Sequence, residues 1–216
     1  MSLELFTQPV GPVQTNAFLL HETRANTLVV VDPAIGADEL FERAQQLVSG
    51  GARFEAIWNT HGHFDHIYDN ARWKTAFNAP IYAHPGDAYF LEHLREQSLW
   101  FGLPAPEIAP IDVELREGDV LRLGDERASV WELPGHSPGS VAFGFDEFWL
   151  VGDVLFQGSV GRTDLYGGDA RTLARSIQRL WTLPDATRIL TGHGDQTTIG
   201  IEKQENEVAR ALLINR

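Results

Sequence analysis

The sequence contains no cysteine. This single absence excludes disulfide bonds, thiolate ligands for zinc and cysteine nucleophiles together. Positive charge is also scarce, because 17 Lys and Arg stand against 30 Asp and Glu and give a formal net charge of -13. Such an acidic surface argues against general binding to nucleic acid or to anionic membranes. A small anionic substrate is still compatible with it, since a local arginine or a metal ion can dominate one pocket.

Long apolar runs are missing too. No stretch approaches the roughly 18 residues that span a bilayer, and the opening MSLELFTQPVGP has neither the basic region nor the apolar core of a signal peptide. We therefore expect a cytoplasmic protein with neither membrane nor nucleic acid as a partner. The 216 residues, 43% of them hydrophobic, suit one sizeable core, so we expect a single domain over residues 1–216.

What the sequence does have is an alternation of strand and helix patterns. AFLLHE, TLVVVDP and FEAIWNT predict strands, whereas GADELFERAQQLVSGG has helical spacing and ends at two glycines. Later segments predict the strands DVLRLG, ASVWELPG, SVAFGF, FWLVGD and TRILTGHG, and the helices HPGDAYFLEHLREQSLWFG, DARTLARSIQRLWTLP and IEKQENEVARALLI. Two sheets packed face to face, with helices outside, accommodate this order.

The stretch NTHGHFDH concentrates ligand-type side chains directly after the predicted strand FEAIWNT. His61 and His63 point the same way in an extended chain, Asp65 continues that parity, and His66 breaks it at a turn. Neutral imidazoles and carboxylates bind Zn²⁺ or Fe²⁺ well. One pair can therefore hold one metal ion while the next pair faces a second.

Three further candidates also follow apolar strands. His136 lies in ELPGHSPGS, Asp153 in FWLVGDVLF and His193 in ILTGHGDQT. Ligand sites of layered α/β proteins gather at the carboxyl ends of strands, so these residues and the histidine-rich stretch are expected to converge at one edge of the sheets. His21, His84 and His93 have no such context, and we expect surface or structural roles for them.

In this order, THGHFDH, PGHSPGS, GDVLFQGSVGRTD and TGHGDQTTIG resemble the metallo-β-lactamase fold superfamily, and within it the glyoxalase II-like single-domain hydrolases. The similarity also takes in PVGPVQTNAFLL and VVVDPAIG, so it covers nearly the whole chain. It implies an α/β fold, a four-layer αββα sandwich with a two-metal site at one edge. We expect no counterpart of the C-terminal helical domain of glyoxalase II, because the chain ends soon after His193.

The resemblance also implies the ligands of two divalent ions per chain, Zn²⁺ and/or Fe²⁺. The first ion would be held by His61, His63 and His136, and the second by Asp65, His66 and His193. Asp153 would bridge the two ions. Asp65 and Asp153 are then the expected catalytic residues, since they hold the ions around a shared hydroxide that attacks the substrate carbonyl.

The activity that the resemblance implies is hydrolysis of a small-molecule thioester of glutathione, such as S-lactoylglutathione. Arg162 matches a basic residue that contacts glutathione in glyoxalase II, whereas Asp164 stands where that family has an aromatic residue. Asp32, which ends VVVD, is expected to brace the site from behind the ligands, with capping of a turn as the alternative.

The alternative activity is that of a persulfide dioxygenase, which would use one iron on His61, His136 and Asp153 to oxidise glutathione persulfide with O₂. The tail TGHGDQTTIGIEKQEN resembles the hydrolases more closely. Hydrolysis of a lactone, a β-lactam or a phosphodiester stays open as well, as does a binding module without catalysis.

Overall fold

The computed structural model describes residues 2–214. Its first six-stranded sheet contains, in spatial order, β1 (Leu3–Val10), β2 (Thr15–Glu22), β3 (Thr27–Val31), β4 (Arg53–Trp58), β5 (Ile81–Ala83) and β6 (Val113–Glu114). The strands from β3 to β6 run parallel, and β1 and β2 complete the sheet in antiparallel pairs.

The second six-stranded sheet has a less sequential order. It contains β14 (Thr197–Thr198), β13 (Arg188–Thr191), β10 (Phe148–Gly152), β9 (Val141–Gly144), β8 (Glu126–Glu132) and β7 (Val120–Leu123). Only β10 and β13 pair in parallel, and a separate small hairpin is formed by β11 (Leu155–Phe156) and β12 (Ser159–Val160).

Eight α-helices are found in the described residues. They are α1 (Asp38–Ser49), α2 (Phe64–Ile67), α3 (Asn70–Phe77), α4 (Ala88–Glu92), α5 (Leu94–Trp100), α6 (Ala170–Leu180), α7 (Ile199–Glu205) and α8 (Glu207–Ile214). A short 3₁₀ turn at Pro85–Asp87 precedes α4. None of the helices between residues 2 and 214 is long and apolar enough to cross a membrane.

Three apolar layers hold these elements together. In the central layer, Trp58 of the first sheet contacts Phe143 of the second, with ring centroids 5.3 Å apart. Trp73 of α3 anchors the helices on the outer face of the first sheet, and Leu173 of α6 does so on the second. Burial of this apolar surface favours the stacked arrangement. The predicted four-layer αββα sandwich is confirmed.

Several details differ from the sequence predictions, including short elements such as β5 and α3 that were not predicted. The edge strand β1 was not predicted, because Pro9 interrupts its pattern and an edge strand tolerates that residue. The helix predicted from His84 to Gly102 is broken into the 3₁₀ turn, α4 and α5. The closing helix breaks at Asn206, whose Oδ1 accepts the Ala209 N–H at 2.8 Å and so starts a new helix.

Candidate metal centre

The predicted ligand residues lie where strands of both sheets end. His61 and His63 follow β4, His136 follows β8, Asp153 follows β10 and His193 follows β13. Because β10 and β13 are parallel, their carboxyl ends share one edge of the second sheet. An isolated backbone bridge between Thr15 and His193 joins the two sheets at this edge.

The other two, Asp65 and His66, lie in the short helix α2. His63 has an extended backbone with φ -67° and ψ 148°, and the helix begins at Phe64. The prediction that Asp65 continues the extended stretch is therefore wrong, because the chain turns into a helix before this residue. The turn still separates one pair of ligand-type side chains from the next.

The structure brings these side chains into two clusters, and within each cluster the ligand atoms lie within 4.8 Å of one another. The first cluster consists of His61, His63 and His136, and the second cluster of Asp65, His66 and His193.

Asp153 lies between the two clusters. Its Oδ2 is 3.5 Å from His136 Nε2 in the first cluster and 3.3 Å from His193 Nε2 in the second. Its Oδ1 is 3.3 Å from His66 Nε2. A side chain at Gly192 would collide with this carboxylate and with the His66 ring, so the approach requires glycine at this position.

Asp32 is hydrogen-bonded around two of the predicted ligands, His61 after β4 and His66 in α2. His66 Nδ1 donates to Asp32 Oδ2 at 2.9 Å, and the Thr60 hydroxyl donates to the same oxygen at 2.6 Å. The Thr60 oxygen in turn lies 3.1 Å from His61 Nδ1. Although Asp32 is close enough to His61 and His66 to count as a third possible ligand group, these bonds occupy its carboxylate.

Backbone carbonyls orient two more histidines. His136 Nδ1 donates to the Arg162 carbonyl at 2.8 Å, and His193 Nδ1 donates to the Val13 carbonyl at 3.0 Å. In the neutral form that binds a metal ion, an imidazole carries one proton, and we assign it to Nδ1 in His136, His193 and the two rings near Asp32. Nε2 is then the lone-pair atom that a metal can take.

Charge is distributed unevenly over the two clusters. Burial, together with the neighbouring imidazoles, lowers the pKa of His61 well below its usual value and that of His63 to about 3. Burial also lowers the pKa of His193, but hydrogen bonds with Asp153 and Asp65 outweigh it and raise the pKa to about 10.

In His66, Asp65 and Asp153, too, neighbouring groups outweigh the effect of burial on the pKa. Burial opposes ionisation of His66, yet the charges of Asp65, Asp153 and Asp32 raise its pKa well above the usual range. Burial likewise opposes ionisation of Asp65 and Asp153, and the charge of His66 with hydrogen bonds from His193 holds the pKa of both carboxyl groups well below normal.

The donor set fits divalent metal ions. His61 Nε2, His63 Nε2 and Asp153 Oδ1 are buried and have no hydrogen-bond partner among residues 2–214. Buried polar atoms without partners cost free energy, and a metal ion satisfies imidazole nitrogen and carboxylate oxygen at once. Two of these orphaned atoms lie in the first cluster, and the third lies on the residue between the two clusters.

Two residues of the site were not predicted from the sequence. The Thr15 hydroxyl donates to Asp65 Oδ2 at 2.7 Å, and Asp87 accepts the Gly62 N–H at 2.7 Å between His61 and His63. Neither lies in a ligand-type motif, although the aspartate next to a glycine in HPGD was available as a signal for a turn. His21 and His84, by contrast, make hydrogen bonds with Glu4 and Glu132 outside the two clusters.

A cavity of about 520 Å³ opens onto the centre. Five of the seven predicted ligands form part of its wall, and the rest is formed by Val13, Phe64, Gln97, Trp100, Phe101, Arg162 and Leu165. The Arg162 guanidinium is exposed and forked onto Asp164 through Nε at 2.6 Å and Nη2 at 2.8 Å. The predicted substrate-binding side chain therefore reaches the cavity but already has a carboxylate partner.

Comparison with known proteins gives a consistent family signal. Residues 10–193 match the family model of the metallo-beta-lactamase superfamily. The hydroxyacylglutathione hydrolase GloC of Haemophilus influenzae is 36% identical, over 95% of this chain and 97% of the relative.

Solved structures are similar over nearly the whole chain. BLEG-1, described as a B3 metallo-beta-lactamase, superposes with a TM-score of 0.84 at 37% identity and covers 94% of this chain and 98% of its own. TTHA1623 in a di-iron-bound form has a TM-score of 0.81 at 39% identity, again covering 94% of this chain and 98% of its own.

Proposed function

This chain belongs to the metallo-beta-lactamase superfamily, a superfamily of metallo-hydrolases, and we propose that it hydrolyses glutathione thioesters such as S-lactoylglutathione. In this proposal the first cluster and the second cluster would each hold one divalent ion, Zn²⁺ or Fe²⁺, and Asp153 would be a ligand shared by both. The proposed activity requires a small-molecule substrate and no macromolecular partner.

One observation carries the proposal. The acceptors behind His66, His136 and His193 fix the Nδ1 protons, and the Nε2 atoms of all three lie within 3.5 Å of Asp153. Unprotonated nitrogens that face a carboxylate repel it, unless a proton or a cation lies between them. Because both clusters meet the same carboxylate, the arrangement suits two cations better than one.

Divalent ions at such a centre supply a hydroxide nucleophile near neutral pH and polarise the substrate carbonyl. The protein's own contribution is to hold the ligand rings through Asp32 and the carbonyls of Val13 and Arg162. No Glu, Tyr or Lys of the described chain lines the cavity as a general acid. A thioester does not need one, because a thiol with a pKa of about 8.5 leaves readily as the thiolate.

The choice of a glutathione thioester is supported by similarity and by position. GloC of Haemophilus influenzae is described as a hydroxyacylglutathione hydrolase and is aligned with this chain over nearly its full length. Arg162 lines the cavity, and its guanidinium can exchange Asp164 for a carboxylate of the substrate.

The proposal is tested by loading the protein with Zn²⁺ or Fe²⁺, counting the metal and assaying a panel of substrates. We expect about two ions per chain and turnover of S-lactoylglutathione above that of a lactone or a β-lactam. A β-lactam belongs in the panel because BLEG-1 is described as a β-lactamase. Glutathione persulfide with an oxygen electrode tests the dioxygenase alternative.

Two results would contradict the proposal. A stoichiometry that stays near one after reconstitution excludes the two-metal centre, and O₂ consumption with glutathione persulfide then favours the dioxygenase. Two bound ions with turnover of another class in the panel would retain the metal centre and remove glutathione thioesters as the substrate.

A further inference from the structure

The cavity over the metal centre is more apolar than its charged ligands suggest. Apart from the predicted ligands, its wall has five apolar side chains, from Val13, Phe64, Trp100, Phe101 and Leu165. The two polar side chains in the wall are already engaged by the protein. Gln97 Nε2 donates to the Phe90 carbonyl at 2.7 Å, and Arg162 is forked onto Asp164.

The end of α5 supplies an aromatic part of this wall. Trp100 is 76% exposed and Phe101 is 48% exposed. Phe101 stacks on Phe64 with ring centroids 4.3 Å apart, and Phe64 lies between His63 and Asp65 in the sequence. Stacking therefore fixes the aromatic wall to the segment that carries ligands of both clusters.

On the premise of the proposed thioester hydrolysis, we propose that the preferred acyl group is apolar and large enough to cover Trp100 and Phe101. Exposed aromatic surface gains free energy when a ligand removes it from water. A small hydroxylated acyl group such as lactoyl leaves most of this surface wet. The substrate class is thus a glutathione thioester with an aromatic or branched aliphatic acyl group.

Binding of two glutathione conjugates tests this inference without requiring turnover. In S-benzylglutathione the benzyl group stands in for an apolar acyl group, and in S-methylglutathione it is missing. Calorimetry on the zinc-loaded protein should show the benzyl conjugate binding at least about tenfold more tightly. Trp100→Ala should reduce that preference to about twofold.

Leu99→Ala is the matched control. Leu99 lies on the same helix and is 61% exposed, but it does not line the cavity. This variant should keep the preference for the benzyl conjugate. Loss of the preference in both variants would indicate a general effect on the helix and overturn the subsite, as would a preference that survives Trp100→Ala or no measurable binding of the benzyl conjugate.

The outcome is separable from that of the proposed function. A Trp100-dependent preference in a protein that hydrolyses no glutathione thioester retains the subsite and removes the activity. Hydrolysis of S-lactoylglutathione by a protein that binds both conjugates equally retains the activity and removes the subsite.

A second inference rests on a different feature, the buried carboxylate of Asp87. This residue is 1% exposed and accepts hydrogen bonds from two loops. Gly62 N–H, between His61 and His63, donates to Oδ2 at 2.7 Å. From the loop after His136, the Ser137 hydroxyl donates to Oδ2 at 2.6 Å and the Gly139 N–H to Oδ1 at 2.6 Å.

Both loops approach Asp87 closely. A Cβ at Gly62 would lie 2.8 Å from Asp87 Cβ, and one at Gly139 would lie 2.7 Å from Asp87 Cγ. A backbone N–H group can only donate a hydrogen bond. Both terminal atoms of the side chain at position 87 must therefore be acceptors. We infer that Asp87 is a positioning residue that fixes the spacing of the first cluster by joining its two loops.

Asp87→Asn keeps the size of the side chain but turns an N–H group toward a backbone N–H. We expect Zn²⁺ affinity of the first cluster to fall about tenfold or more, and the visible absorption spectrum of the Co²⁺-substituted protein to change. Ser137→Ala removes one of the three donors and should produce a smaller change in the same direction, which keeps the test available if Asp87→Asn does not fold.

Glu22→Gln is the matched control, because Glu22 is also a buried carboxylate that accepts two backbone N–H groups, from Arg24 and Ala25. It lies at the other end of β2 from Thr15 and should lower the melting temperature without changing the Co²⁺ spectrum. The inference is overturned if Asp87→Asn behaves like Glu22→Gln, with reduced stability and unchanged metal affinity.

Discussion

The first cluster and the second cluster offer three ligand residues each, but they hold protons differently. In the first cluster, burial and neighbouring imidazoles lower the pKa of His61, and that of His63 to about 3. In the second, carboxylates outweigh burial and raise the pKa of His66, and that of His193 to about 10. The positions of the carboxylates therefore determine which histidines of this centre have a raised pKa.

The difference has a consequence for metal binding. In the first cluster, His61 and His63 are unprotonated at neutral pH, so a cation meets their lone pairs directly. The second cluster contains Asp65 and has Asp32 behind His66, and in a protein stripped of metal these carboxylates retain protons on the histidines. A cation bound there must displace those protons. Asp153 links metal binding at the two clusters because it contacts both of them.

The largest expected effect comes from removing that shared carboxylate. Asp153→Ala should abolish turnover and lower the metal content of both clusters, because the distance between the clusters is then no longer held by a common side chain. Elemental analysis and a rate measurement on the same sample check this. Asp146→Ala, at an exposed position in the turn before β10, is the control that should change neither. Near-normal kcat in Asp153→Ala would mean that Asp153 only terminates the strand.

Asp32→Asn should have a smaller effect, which is confined to metal binding at the second cluster. Asp32 has a left-handed backbone with φ 51°, which asparagine tolerates, so the turn should persist. The bond to His66 Nδ1 is weakened, and metal affinity of the second cluster should fall about 10- to 100-fold. Stepwise Co²⁺ titration should show the first cluster nearly unchanged. Equal losses in both clusters would show that Asp32 braces the whole edge through Thr60 instead.

The pH dependence of metal binding provides the next test. Because the pKa of His193 is raised to about 10, its proton must be displaced throughout the neutral range, and affinity of the second cluster should rise with pH. The expected slope is about tenfold per pH unit for each displaced proton. The pKa of His61 is lowered and that of His63 is about 3, so neither has a proton to displace between pH 6 and 8, and affinity of the first cluster should depend less steeply on pH. Two parallel slopes in a competition titration would contradict the comparison.

The sequence was sufficient for the fold class and for the residues that converge. Each predicted ligand follows an apolar strand or lies in the stretch after β4, and strands leave their carboxyl ends at shared edges. The sequence could not show that α2 begins before Asp65, because a helix of four residues is too short to show a helical period. It also could not indicate Asp87, whose partners are two backbone N–H groups and a serine hydroxyl from distant loops.

The sequence predicted only part of the role of Arg162. The resemblance of GSVGRTD predicted a cation at the substrate site, and Arg162 does line the cavity. The pairing with Asp164 depends on the conformation of the loop, which the motif does not determine. The hydrogen bond from His136 Nδ1 to the Arg162 carbonyl is a contact with the backbone. It therefore does not depend on which residue type stands at position 162.

This division between backbone and side chain leads to the smallest expected effect. Arg162→Ala should leave metal affinity of the first cluster unchanged, because the carbonyl that accepts His136 Nδ1–H is retained. It should raise KM for glutathione thioesters about two- to fivefold with little change in kcat, as an exposed ion pair contributes modestly.

Asp164→Asn tests the same contact from the other direction. It frees the guanidinium for the substrate and should lower KM by a similar factor, whereas a thioester without the glutathione carboxylates should respond to neither change. If Asp164→Asn instead raises KM for both substrates and lowers the melting temperature, the pair only braces the loop. Lower metal affinity in Arg162→Ala would mean that the side chain is needed to place the carbonyl, and the first cluster would then depend on the loop as much as the second cluster depends on Asp32.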